Sequence, residues 1–158
     1  MILQKNDRNT IKKFVAKYFK DNLAYIREKD AYKTLDHDHI VPEFYCDDKN
    51  HIIFLEEHIT FIDWWNDPKV TPMMKKRVVE QIRRILGCLK YNGVMHNDFH
   101  AGNIVIRKED YEPYLIDFEW CIFKDEKKYD ENIDEERFEN STASKIEFKM
   151  FLGDEYYA

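Results

Sequence analysis

Polar and apolar residues alternate from Ile11 to Phe19, with Ile11, Lys13, Val15, Lys17 and Phe19 on one face and Phe14, Ala16 and Tyr18 on the other, which predicts a strand. Residues 1–8 before it form a short strand or a loose end. The period then changes. Residues 21–35, DNLAYIREKDAYKTL, hold neither glycine nor proline and open on Asp21, a good N-cap, so they predict a helix. Ala24, Ala31 and Leu35 share a face of it with Glu28, and helical spacing therefore turns a carboxylate inward. Residues 44–46 and 52–55 flank a polar turn and predict a hairpin. Thr71-Pro72 supplies a cap and a first-turn proline for a long helix running to about Tyr91, which Asn92-Gly93 ends. Its core stripe is Met74, Val78, Ile82, Ile85 and Leu89, with Lys75, Lys76, Arg83 and Arg84 toward water. Residues 104–106 and 114–116, separated by RKEDYEP, predict a second hairpin. The acidic residues 125–140 read as a solvated loop or an exposed helix, and residues 144–152 as a final helix with a Ser144/Glu147 capping box.

Strands and helices mixed in this way predict an α+β fold, and 158 residues with 44% hydrophobic and 15% aromatic content suit one domain with a real core. The net charge is −6 with both signs interspersed, so no basic face points to nucleic acid. Cys46, Cys88 and Cys121 are odd in number and lack metal-binding spacing, which fits reduced thiols in a cytoplasmic protein. Neither a signal peptide nor a membrane span is expected, because no apolar run approaches the roughly 20 residues a bilayer requires.

The second hairpin carries the chain out and back, so it returns Asp117 to the neighbourhood of Asn103. Just ahead lies HNDFHAGN, residues 96–103. One edge of a small sheet is thus expected to gather Asp98, Asn103 and Asp117. An amide oxygen and a carboxylate suit Mg²⁺, and a separate carboxylate suits a hydroxyl nucleophile. A hydrolase reading, with His96, Asp98 and His100 as metal ligands, rests on the HxDxH spelling but lacks a second ligand cluster. Trp64 and Trp65 serve either the core or an acceptor pocket.

His96, Asp98 and Asn103 match the HxDxxxxN catalytic loop, and Asp117-Phe118 the metal-binding turn, of the protein-kinase-like superfamily, which this chain resembles. His100, Gly102 and the IDFEW ending look more like aminoglycoside, choline and lipopolysaccharide kinases than like ordinary protein kinases. The resemblance implies two lobes, about 1–57 and 58–158, with a truncated N-lobe sheet and a reduced helical C-lobe. It implies ATP and Mg²⁺ as cofactors and, as partner, a hydroxyl substrate that is either a protein Ser/Thr or a small alcohol. Asp98 becomes the catalytic carboxylate, and Asn103 and Asp117 the metal ligands. Lys17, in a VAIK-like VAK, holds the phosphates, and Glu28 steadies Lys17. Val15 covers the adenine, and backbone around Glu56 and His58 forms the hinge that binds it. His96 braces the loop near Asp117; His100 contacts phosphate or acceptor, or makes a bond within the loop. Against these roles stand plainer ones: Lys17 as one of several solvated lysines, and Glu28 as an exposed carboxylate beside Tyr32. The first glycine is Gly87, so no glycine-rich loop covers the phosphates, and Glu119 stands where the family has glycine. Those departures motivate an alternative, a pseudokinase that binds nucleotide or a partner.

Overall fold

The computed structural model describes residues 2–7 and 10–140; the helix expected over 144–152 lies outside the described residues. β1 (Ile2–Asp7), β2 (Thr10–Tyr18), β3 (Phe44–Asp47) and β4 (Ile52–Glu56) form one antiparallel sheet in the order β1-β2-β4-β3. The alternating stretch is therefore an inner strand, and its register sets Lys17 opposite Ile53 and Val15 opposite Leu55. A single strand, β1, precedes it among the described residues.

α1 (Asn22–Leu35) follows, and the Asp21 side chain accepts the Leu23 N–H at 2.9 Å as the expected cap. Its buried face is Tyr25, Glu28, Ala31, Tyr32 and Leu35. Ala24 is only half-buried, so the stripe is wider and more aromatic than the alanines suggested. The large rings fill the space between helix and sheet. A turn of 3₁₀ helix, Asp36–Asp38, follows α1 and ends at His39 with φ 56°.

β5 (Ile59–Thr60), β7 (Ile104–Ile106) and β8 (Pro113–Leu115) make a second sheet, and β6 (Val94–Met95) pairs with β9 (Ile122–Phe123). α2 (Phe61–Trp65) buries Trp64 and Trp65 to 2% and 6% exposure, which assigns both to the core. α3 (Pro72–Asn92) is capped by the Thr71 hydroxyl and buries Val78, Val79, Ile82, Ile85, Leu86 and Leu89. Met74 is a correction: it lies in the first turn, beyond the packed part of the helix, and is 38% exposed. Gly93 ends α3 at φ 68°, and a Cβ there would meet the Lys124 Cβ at 2.9 Å, so both backbone and space require glycine. α4 (Ile133–Phe138) completes the described helices.

Aromatic contacts run through the core from the first sheet to α4. Phe44 stacks on Tyr32, Tyr32 meets Phe118, Phe118 meets His96, His96 meets Phe99, and Phe99 meets Phe138, all at centroid distances of 4.7–6.0 Å. His96, Phe99 and Phe118 belong to this column, so packing fixes the loop that holds the candidate residues Asp98 and Asp117. No described helix is long and apolar enough to cross a membrane.

Candidate active site

Lys17 projects from near the C-terminal end of β2, and its Nζ lies 2.9 Å from Glu28 Oε1 on α1 and 2.9 Å from Asp117 Oδ1. Glu28 is fully buried, which rules out the exposed carboxylate reading. The same Oε1 accepts the Phe118 N–H at 2.8 Å, so one carboxylate joins the strand, the helix and the turn after β8. Burial pushes the Glu28 carboxyl up, and the Lys17 ammonium opposes that. Burial lowers the Lys17 pKa, but attraction to Glu28 and Asp117 outweighs it and the net shift is upward. Lys17 thus more than recovers its own desolvation from its carboxylate partners, whereas burial remains the larger influence on Glu28. Glu119 adds a third carboxylate, with Oε2 3.6 Å from Lys17 Nζ.

The hairpin returns the chain as its pattern requires. Ile104 pairs with Leu115, and the Ile116 N–H donates to the Asn103 carbonyl at 2.9 Å, which sets Asp117 beside Asn103. Asp117 has φ 66° and its N–H donates to the Tyr32 hydroxyl at 3.2 Å. Aspartate tolerates this left-handed backbone better than most residues. Asn103 Nδ2 donates to the Asp98 carbonyl at 2.9 Å and to Asp98 Oδ2 at 3.1 Å, an arrangement that keeps the amide's oxygen for another partner. His100 Nδ1 accepts the Gly102 N–H at 3.0 Å, the bond within the loop, while Nε2 stands 3.5 Å from Asp98 Oδ1. A Cβ on Gly102 would lie 2.7 Å from His100 Cε1, so this ring position depends on the glycine.

His96 is fully buried. Its Nδ1 accepts the Asp98 N–H at 3.1 Å, so Nε2 carries the proton and donates it to the Ile116 carbonyl at 2.9 Å. Both nitrogens are thereby committed to bracing the loop, and neither serves a metal; the HxDxH hydrolase reading fails on this point.

The residues expected to form a hinge make contacts of their own. Glu56 and Glu57 commit their N–H groups to the carbonyls of Glu43 and Lys13, at 2.9 and 2.7 Å. His58 packs its ring on Tyr114 and sets Nε2 3.6 Å from Glu56 Oε2. Val15, two residues from Lys17 on β2, is 45% exposed.

Comparison with known families decides what this geometry belongs to. Residues 52–150, more than half of the chain, match the model of the lipopolysaccharide kinase (Kdo/WaaP) family. The chain belongs to that family. It is thus a kinase of the atypical, protein-kinase-like kind, acting on a hydroxyl acceptor. A search of curated proteins finds no match. The matched residues of this lipopolysaccharide kinase (Kdo/WaaP) family member include Asp98, Asn103 and Asp117 but begin after Lys17 and Glu28, which the fold alone brings to Asp117.

Asp134 is the buried carboxylate beside the candidate site that the sequence concealed. It sits on α4 inside the acidic stretch, is 6% exposed, and accepts the N–H groups of His96 at 2.7 Å and Asn97 at 2.9 Å. Asn97 has φ 70°, so the loop is held in a bend at this point. The signal was the apolar pair Ile133 and Phe138 around it, where a solvated segment has none. Asp134→Ala leaves two backbone donors without their acceptor and is expected to destabilise the protein by about 2–4 kcal/mol, read from urea unfolding.

His96 predicts a pH dependence. Burial holds its pKa below the ordinary 6.5, against attraction from Asp134, Asp117 and Asp98. Above 6.5 the ring is neutral in both folded and unfolded chains and contributes nothing. As pH falls below 6.5 the unfolded chain takes a proton that the folded one refuses, so stability is lost. Unfolding free energy of the wild type should fall relative to His96→Asn as pH is lowered from about 7.5 to about 5.5.

Proposed function

We propose that this kinase transfers the γ-phosphate of ATP to the hydroxyl of a small, non-protein acceptor, with Mg²⁺ as its metal. The observation that carries the reading is the meeting of Lys17, Glu28 and Asp117 at 2.9 Å contacts from three separate elements. The donor set fits a hard divalent cation. Asn103 keeps its amide oxygen for a partner, Asp117 sits beside it, and three carboxylates face one ammonium, an excess of negative charge that a cation relieves. Asn103 and Asp117 would hold the ion, and Mg²⁺ when bound neutralises charge on the phosphates.

The chain's own groups supply the rest. Lys17 binds the α/β-phosphates, and Glu28 fixes its rotamer. Val15 covers the adenine from β2, and backbone around Glu56 and His58 binds its edge. Asp98 accepts the proton of the attacking hydroxyl and is oriented for that by Asn103 and by the His96 brace on its N–H. The two groups of elements act as lobes, about 1–57 and 58–158, with nucleotide between them. A cavity of ≈ 520 Å³ beside Asp98, lined by His100, Ile133, Glu136 and Arg137 among others, is of a size for a small acceptor.

Purified protein with γ-labelled ATP and Mg²⁺ is expected to label added monosaccharides or other small alcohols, and neither itself nor a generic protein. Label on protein alone would overturn the small acceptor. A second reading has one specific support, the three carboxylates already engaging Lys17: a pseudokinase that binds nucleotide or a partner without turnover. Saturable ATP binding with no transfer to any acceptor or to water would favour it.

A further inference from the structure

The consecutive residues Arg27 and Glu28 leave α1 about 100° apart around the helix axis and seize the two ends of residues 117–126. Glu28 takes Lys17 and the Phe118 N–H. Arg27 reaches past the turn, with Nη1 donating to the Cys121 carbonyl at 3.0 Å and to Glu126 Oε2 at 2.9 Å, and Nη2 lying 2.8 Å from Glu126 Oε1. The carboxylate is itself fixed, since Oε2 also accepts the Phe123 N–H at 3.2 Å. Cys121 Sγ donates back to the Arg27 carbonyl at 3.5 Å.

We propose that Arg27 and Glu126 are a positioning pair, whose two-pronged bond sets the rotation of α1 and so keeps Glu28 turned onto Lys17. The inference rests on the kinase reading for its effect on rate. Both side chains are partly open, at 26% and 33% exposure, and such pairs contribute little to stability. What a fork-to-carboxylate contact adds is direction: two parallel bonds fix an angle as one cannot. A small rotation of α1 would separate Glu28 from Lys17, because the residue sits one step along the same helix. Bonding to Glu126 holds Arg27 charged, and bonding to Arg27 lowers the Glu126 carboxyl, so the pair persists across neutral pH.

The test uses the full chain and Mg²⁺ with ATP, water serving as acceptor. Arg27→Gln and Glu126→Gln are each expected to lower kcat about tenfold with KM for ATP moved less than about twofold. The double variant should be no slower than either single one, and Arg27→Lys, which keeps charge without the fork, should fall between. Amide exchange over 22–35 should quicken in Arg27→Gln while that over 72–92 is unchanged. Unchanged kcat, additive losses in the double variant, or exchange that quickens throughout the fold would each overturn the proposal. If the wild type transfers phosphate neither to water nor to any added small alcohol, the kinase reading falls, and the exchange over 22–35 still decides whether the pair holds the helix.

Discussion

Asp98→Asn is expected to lower phosphoryl transfer on the order of a thousandfold while leaving fold and nucleotide binding intact. Asparagine is close in size, and its amide oxygen accepts the Asn103 bond that Asp98 Oδ2 accepts at 3.1 Å. Its neutral amide cannot take the hydroxyl proton. The side chain is 45% exposed, so the exchange removes no buried charge. Turnover with labelled ATP measures the first effect, and the midpoint shift on adding ATP with Mg²⁺ measures the second. A variant that retained a tenth of the wild-type rate would show that Asp98 is not the base.

Lys17→Met is expected to abolish transfer and also to destabilise the fold, by about 2 kcal/mol. The stability loss arises at Glu28, which stays fully buried while losing its ammonium partner, with Oε2 already lacking a hydrogen bond among the described residues. The cost is below that of a wholly buried pair because Lys17 is 31% exposed. Adding Glu28→Gln should return most of the stability, since the amide carries no charge and its oxygen still accepts the Phe118 N–H. Activity should stay absent. Urea unfolding and turnover on the same three proteins separate the two roles, and a single variant as stable as wild type would refute the electrostatic account.

The site was legible where one periodic rule placed a residue. Helical spacing turned Glu28 inward, and the hairpin's apolar runs returned Asp117 to Asn103. Tyr32 lay on the same spacing as Glu28, yet its contact with the Asp117 N–H depends on how far α1 sits from β8, which no local pattern encodes. Asp134 was hidden by its neighbours, because composition over a window reports the average and a single buried carboxylate is outvoted. The Arg27 clamp joins residues 94 and 99 positions apart in sequence, and no spacing rule reaches that far. Of the first sheet, β2, β3 and β4 followed from alternation and turn residues; the order that puts β4 between β2 and β3 is a tertiary result.

Glu119, standing where glycine was expected, changes what the cleft will admit. Uncomplexed ATP would carry its own anionic oxygens toward a lysine that Glu28, Asp117 and Glu119 already surround, and would be repelled. A nucleotide arriving with its divalent ion brings the countercharge along. Under the proposed function the enzyme is therefore expected to discriminate between two forms of one cosubstrate by net charge, with free nucleotide in excess over metal a poor competitor.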